Sequence, residues 1–497
     1  MNNYKSISIV ILLTLTLSAC GDFWYTDVTS KGGPTTLNPA TGNPSNPNNP
    51  DHPTPAHVMV WHDPTDLNDH VSVGGTNAVL PKVAMDRNNN AIAVWEQSDG
   101  MRTQIFKSEY RNGSWTHPTS LVDNISPDAQ FAYWPEVSMD NNGNAIIAWR
   151  QGDGSANYQI FKSEYRNGAW THPTGLADNI SPDGSNAYSP QIAMSDNGDA
   201  IITWYQATGA QNQIFKSEYR NGAWIHPANL SNYISVAGQT SNANEVAMDS
   251  SGNTIVVWHQ SNGSHNQIFK SEYRNGAWTH PMGVNDNISP DGQSATLPQV
   301  VMNNTDQAVI TWQQSDGAFS QIFKSEYRNG AWTHPINLAD NIAPNGQNAS
   351  NARVALNDDG TTVIVWQQFD GSLFTHIFKS EYRNGAWTHP ASVAEYISPT
   401  VTYGATNPKV SMDQEGQVVV VWEQRNGPLA PDTYYQIFKS EYRNGAWTYP
   451  TDLNDNISPD STNAASAEVA LSDAGEAFIF WGQSNGLNGQ IYMSHYR

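Results

Sequence analysis

Cysteine occurs once in the 497 residues, at Cys20. A single thiol excludes internal disulfides and Cys-based zinc sites, so the fold must rest on packing and hydrogen bonds. Positive charge is also scarce, with 24 Lys and Arg against 46 Asp and Glu and a net charge of −22. Nucleic acid and anionic lipid headgroups are therefore poor partners. Helical periodicity is absent, and no phosphate-binding glycine loop precedes a helix. The one apolar run of note, Ile7 to Leu17, is too short to span a bilayer permanently.

What is there begins with that run. Lys5 precedes it, and it ends in Leu17-Ser18-Ala19-Cys20. A charged start, a short apolar stretch and small residues before a cut read as a secretory signal over 1–19. The tetrapeptide resembles the bacterial lipobox. That resemblance implies that Cys20 carries diacylglyceryl, is N-acylated and becomes the first mature residue, with Gly21 permitting transport to the outer membrane. Several acyl chains anchor stably where one does not. The segment 20–56 is rich in Gly, Pro, Asn and Thr and has almost no aliphatic residues after Val28. It cannot bury enough surface to fold and reads as a flexible stalk.

From residue 57 onward the chain repeats. Gln104-Ile-Phe-Lys-Ser-Glu-Tyr-Arg-Asn-Gly113 recurs from Gln159, Gln213, Gln267, Gln321, His376 and Gln436, with a degenerate last copy at Gln490–Arg497. Copies are 54 or 55 residues apart, except for 60 before Gln436. A second motif, of the form Val-Ala-Met-Asp-x-x-Gly-x-Ala-Ile-Val-x-Trp-x-Gln, precedes each copy. Its tryptophans, Trp95, Trp149, Trp204, Trp258, Trp312, Trp366, Trp422 and Trp481, count eight units. Each unit reads as four strands. In the first these are Val83–Asp86, Ala91–Gln97, Gln104–Arg111 and a strand from Ser114, with Asn112-Gly113 as a two-residue hairpin turn. Repeated four-stranded units without helices predict an all-β, eight-bladed propeller over 57–497. The chain stops after a third strand at Arg497, while Val58-Met-Val-Trp61-His-Asp-Pro64 matches the fourth-strand pattern Trp115-Thr-His-Pro118. The N-terminal strand is therefore expected to complete the last blade and close the ring, leaving no exposed sheet edge.

Met194-Ser195-Asp196-Asn197-Gly198-Asp199, leading to Trp204, resembles the Asp-box of sialidase-like propellers. Met139 to Gly143 and Met248 to Gly252 are looser versions. Asp-boxes are fold-stabilising turns, so the resemblance implies a fold and not glycosidase chemistry. A sialidase-like site also needs converging arginines and an acid/base carboxylate. Here most basic residues belong to the repeated Lys-Ser-Glu-Tyr-Arg, and Arg87, Arg102, Arg150, Arg353 and Arg425 are scattered among units. Lys107, Glu109 and Arg111 read as an interblade charge ladder in preference to a carbohydrate-binding row. The repeated histidines (His117, His172, His226, His280, His334, His389) come one per blade and read as packing, not metal ligands. Asp140 to Asn144 has the composition of a calcium loop without its distal Glu; calcium is the one cofactor it admits, and turn chemistry accounts for it equally.

Copy-to-copy variation concentrates on the face carrying the strand 2–3 loops and the crossovers. The residue between Trp and Gln is Glu96, Arg150, Tyr205, His259, Gln313, Gln367, Glu423 or Gly482. The aromatic group Phe131, Tyr133, Trp134 and the insertion Arg425–Tyr435, with Tyr434 and Tyr435, lie on that face too. Loops on a rigid scaffold carry function. The candidate ligand-binding residues are accordingly Tyr133, Trp134, Arg150, Tyr205, His259, Gln313, Gln367, Glu423, Tyr434 and Tyr435, with no catalytic or metal residue assigned. The favoured reading is a non-enzymatic, outer-membrane-anchored propeller that binds glycan or protein, because aromatic platforms beside Gln, Asn and Asp suit sugars. Two alternatives are an envelope assembly scaffold, similar in architecture to the propeller lipoprotein of the β-barrel assembly machinery, and a sialidase-like hydrolase.

Overall fold

A computed structural model of the chain describes residues 59–400, 403–427 and 433–497. The chain divides into two units, Met1–Val58 and Met59–Arg497. The signal segment, Cys20 and the stalk fall in the first unit, outside the described residues, as do residues 428–432 of the insertion.

Met59–Arg497 is the eight-bladed propeller. Its described residues form eight four-stranded sheets and no helix. β1 (Trp61–His62) comes first in sequence. Blade 1 follows as β2 (Ala78–Met85), β3 (Ala91–Ser98), β4 (Thr103–Arg111) and β5 (Ser114–Thr116), in that order from the channel outward. Blades 2 to 7 occupy 132–171, 187–225, 241–279, 295–333, 349–388 and 405–448. The eighth has three strands, Ala464–Leu471, Ala477–Ser484 and Gly489–Tyr496, and takes β1 as its fourth. Trp61 pairs with Tyr496 and His62 with His495, so the N-terminal strand closes the ring as the sequence predicts.

β3 is buried from Ala91 to Gln97 because blades cover both its faces. Trp95 is wholly buried, and a buried indole N–H needs an acceptor. Gln97 Oε1 supplies it at 2.9 Å, and Gln97 Nε2 donates to Val73 O at 2.5 Å, tying down the crossover. Every blade repeats the Trp-to-Gln bond, from Trp149 to Trp481. The hairpin is as read: Arg111 pairs with Ser114 and Tyr110 with Trp115, with φ of 54° at Asn112 and 78° at Gly113.

The inner strand differs from its sequence reading. β2 starts at Ala78, well before Val83, and crosses a bulge between Val79 and Lys82. Leu80 sits in the bulge at φ 54°, followed by Pro81. The bulge breaks the two-residue alternation by which a strand is recognised. It recurs in every blade, placing Trp134, Ser189, Ala243, Leu297, Asn351, Asn407 and Ser466 in the left-handed region. Each such residue costs about 1–3 kcal/mol.

The charge ladder lies at the seams between blades. Trp170 Nε1 of blade 2 donates to Glu109 Oε1 of blade 1 at 2.7 Å, and Lys107 Nζ, paired with Glu109, stands 4.8 Å from the Trp170 ring. Arg111 lies 4.0 Å over Tyr165. Burial works to raise the Glu109 carboxyl, but Lys107, Arg111 and the indole together hold it below the usual range. Trp61 on Glu441, at 2.7 Å, builds the closing seam the same way. The seam between blades 8 and 1 is the exception. Met493 and His495 replace the Lys and Glu there, Trp115 Nε1 is left without an acceptor, and Phe478 and Phe480 pack edge-on against the Trp115 ring instead. The repeated histidines pack as expected: His117 stacks on Trp115, and its Nδ1 is 2.8 Å from Ser108 Oγ.

Candidate functional site

The inner strands line a channel whose two ends differ. At the end of the strand 1–2 turns, most turns bond to that of the next blade. Asn141 Oδ1 accepts Arg87 N–H, Asp196 Oδ1 accepts Asn141 N–H, and the pattern continues through Asn304, Asp358, Gln414 and Asp473. Arg87 joins Asp473 at 2.9 Å and reaches Asp358 in blade 6 at 3.2 Å, bracing this end of the channel. Asp140 spends its oxygens on turn groups: Oδ1 accepts the Asn142 and Asn144 amides, and Oδ2 accepts Asn144 Nδ2. Above the turns, mostly apolar side chains of the inner strands, with Ser138 and Ser411, line an open cavity of about 370 Å³.

The other end is the mouth, on the face of the strand 2–3 loops and crossovers. The eight left-handed bulge residues form its rim. Two residues further along each inner strand comes a ring of polar side chains: Lys82, Glu136, Gln191, Glu245, Gln299, Arg353, Lys409 and Glu468. Lys82 pairs with Glu136 at 3.2 Å and with Glu468 at 3.0 Å, and Lys409 pairs with Glu468 at 2.6 Å. Burial opposes the Glu468 charge, but Lys409 and Lys82 override it and bring its pKa to about 2. Glu245 has only Gln299 Nε2, at 2.9 Å; burial pushes its pKa up to about 7 against the field of Arg353. The sequence reading missed this ring. Its signal was the charged or amide residue that follows Pro in five of the eight bulges, as in Pro81-Lys82, Pro135-Glu136 and Pro408-Lys409.

Four of the sequence-derived candidates come together at the rim over blades 2 and 3. The Arg150 guanidinium lies 3.8 Å from the Trp134 ring, 4.5 Å from Tyr158, 5.3 Å from Tyr188 and 5.6 Å from Tyr133. Tyr205 stacks on Tyr188 at 5.2 Å, and Phe131 stacks on Tyr133. Among the described residues Arg150 has no ion-pair partner, and its Nε is buried without an acceptor. Trp134 remains 40 % exposed. Glu96 underlies the group, accepting the Trp134 N–H at 2.7 Å; burial raises its pKa to about 7, with that bond and Arg150 opposing.

The remaining candidates are distributed around the ring. Gln367 Oε1 accepts Asn407 N–H at 2.9 Å, and Glu423 Oε1 accepts Ser466 N–H at 2.7 Å. With Glu96, they cap the bulge amide of the next blade. His259 lies in blade 4 with Nδ1 unpartnered, its pKa pushed down to about 4 by burial, and Gln313 in blade 5 has a free Oε1. Tyr434 and Tyr435 flank the insertion in blade 7. Tyr434 N–H bonds Asn426 Oδ1, and Arg425 lies 5.5 Å from the Tyr435 ring.

One constellation has the composition of a nucleophile relay. His376 Nδ1 is 3.0 Å from Ser398 Oγ, and His376 Nε2 is 3.4 Å from Asp370 Oδ2. Ser398 is only 5 % exposed, and its Oγ already accepts Ile377 N–H. The equivalent Ser126, Ser181 and Ser289 make the same bond to a strand amide, with Gln in place of His376. The arrangement is therefore a crossover clamp with its hydroxyl turned inward.

The sequence matches no family model, and no curated protein sequence matches it. Solved structures resemble the fold distantly. A polysaccharide lyase, an ulvan lyase bound to a glucuronate–sulfated rhamnose unit, is 10 % identical, with 71 % of this chain and 90 % of that chain covered at a TM-score of 0.44. The Aleuria aurantia lectin, in complex with a fucosylated N-acetylglucosamine, is 12 % identical over 65 % and 96 % at 0.32. A Hadza microbial sialidase is 11 % identical over 87 % and 98 % at 0.37. None of these similarities bears on the chemistry of the site.

Proposed function

We propose that the chain is a non-enzymatic glycan-binding propeller, held at the outer membrane by lipid on Cys20. The observation that carries this reading is the platform of Phe131, Tyr133, Trp134, Tyr158, Tyr188 and Tyr205 around an unpaired Arg150. Aromatic faces stack on the apolar faces of sugar rings, and one fixed cation orients their polar groups. The platform opens on the face where the copies differ most, while the opposite face is spent on turns bonded to one another. The Glu and Arg groups of the seams are occupied with each other, which leaves the mouth as the place for a ligand. The test is a glycan array probed with the full mature chain in detergent. Binding is expected, with loss in Trp134→Ala and Tyr188→Ala variants that melt as wild type. An empty array, or binding indifferent to both substitutions, overturns the reading.

A further inference from the structure

The mouth contains a second place suited to a ligand, on the far side from Arg150. A cavity of about 260 Å³ opens among blades 1, 6, 7 and 8, with Asn351, Asn407 and Ser466 at its rim and Lys82, Arg353 and Lys409 in its wall. Three cations meet here in a chain that carries −22 overall. Two of them are neutralised: Lys82 and Lys409 share Glu468, and Lys82 also holds Glu136. Arg353 is not. Its one hydrogen bond runs from Nη1 to Ala352 O at 2.8 Å, and among the described residues no carboxylate forms an ion pair with it. The other carboxylate in the wall, Glu423, is committed to Ser466 N–H and Asn407 Nδ2. A guanidinium left over in a concave, partly desolvated wall is a planar fork for a carboxylate. The rim carries Asn351, Asn407 and the Ser466 hydroxyl, with Asn351 Nδ2 donating to Asn407 Oδ1 at 3.4 Å and Asn407 Nδ2 to Glu423 at 3.2 Å.

We infer that this cavity seats a hydroxylated carboxylate of single-ring size, the uronate class of sugar acid, with its carboxylate on Arg353 and its hydroxyls on Asn351, Asn407 and Ser466. The seat is separate from the aromatic platform, and the two can fail independently. The bidentate contact fixes the acid, and the asparagines, held in the left-handed bulge conformation, exchange their long bonds to one another and to Glu423 for bonds to the hydroxyls.

The test is calorimetric titration of the full mature chain in detergent with glucuronate, galacturonate, glucose and acetate. Saturable binding of a uronate is expected, with glucose and acetate at least about tenfold weaker, since each lacks one half of the recognition. Arg353→Gln should weaken uronate binding by about tenfold or more at unchanged melting temperature, and Arg353→Lys should weaken it less. Asn351→Leu with Asn407→Leu provides a second variant that leaves the charges in place and should bring uronate down to the acetate level. Trp134→Ala should leave uronate binding intact, which separates this seat from the platform. No uronate binding, acetate binding as well as uronate, or affinity unchanged in Arg353→Gln each overturns the inference.

Discussion

Trp61→Ala tests how much the ring depends on its closing strand. Trp61 packs on Tyr496 at a centroid distance of 5.3 Å, donates to Glu441 Oε1 at 2.7 Å and carries Lys439 at 4.8 Å over its ring. Trp332 makes the same three contacts inside the ring, with Tyr327 at 5.4 Å, Glu272 at 2.9 Å and Lys270 at 4.8 Å, and so serves as a control. Truncating a fully buried tryptophan costs about 3–5 kcal/mol, and half-burial reduces this to about 2–3. The lost bond to a charged acceptor adds about 1–2 kcal/mol, because Glu441 keeps Lys439 and Arg443. Each variant should therefore lose about 3–5 kcal/mol in urea unfolding. The difference lies in what comes loose. β1 pairs through only two residues, so Trp61→Ala should also speed amide exchange at Val71 and Arg497, which bond to Ile491 O and Val60 O. Trp332→Ala should not. If Trp61→Ala unfolds with wild-type stability while Trp332→Ala is destabilised, the ring does not depend on this strand and the reasoning fails.

Three further outcomes can be measured. Gln97→Leu strands the Trp95 indole and the Val73 carbonyl in the core, and urea unfolding should show a loss of about 2–4 kcal/mol. His334 is buried beside Lys270, which brings its pKa down to about 4 from an ordinary 6.5. The unfolded chain then binds the extra proton first, so the stability this group contributes is whole above pH 6.5 and is lost as pH falls toward 4. Melting of the wild type should accordingly drop more between pH 7 and 5 than melting of His334→Gln, and equal drops would contradict the assignment. Cys20→Ser should release the protein from membranes on mild washing; retention of that variant in the membrane fraction would rule out the lipid anchor.

Architecture was legible because each blade states its own limits. Asn-Gly turns need positive φ at both residues, and Trp-x-Gln pairs a buried indole with its acceptor, so the sequence carries both the hairpins and the core strands. The start of each inner strand was not legible. Leu80-Pro81 and its equivalents break the alternation, and a bulge looks like a loop end until the pairing across it is seen. The same break hid the lumen ring, since Lys82, Glu136 and Arg353 belong to a strand only once the bulge is admitted. The cluster around Arg150 was partly legible. Tyr133 and Trp134 stood out as unrepeated aromatics, but Tyr158 and Tyr188 come from neighbouring strands whose approach no spacing reveals. Glu96, Gln367 and Glu423 varied between copies for a reason internal to the ring, namely that each reaches the bulge amide of the next blade.

The repeat supplies a control that a single-copy fold lacks. Where seven seams share one Trp–Glu bond and the eighth lacks it, the difference marks the end of the repeat: neither Met493 nor His495 accepts the Trp115 N–H, and Phe478 and Phe480 take up the Trp115 ring. Where His376 stands in for a repeated glutamine, the matching serines in other blades show that Ser398 is held for packing. Ala343 makes the converse case, since the serine is missing there and Gln321 Oε1 is left without a partner. The same comparison separates two kinds of arginine. Those at the end of the third strand meet a glutamate on their own strand and a ring on the next blade, as Arg111 meets Glu109 and Tyr165, and their role is the seam. Arg150 has no cationic counterpart in the other copies, Arg353 shares its position with Lys82 and Lys409, and unlike those lysines neither arginine forms an ion pair among the described residues. A guanidinium half-withdrawn from water without an ion pair carries a desolvation cost that aromatic faces and more distant carboxylates offset only in part. Both face the one opening of the channel whose rim is not tied shut by turns bonded to one another, and an anionic partner arriving there would supply the missing charge.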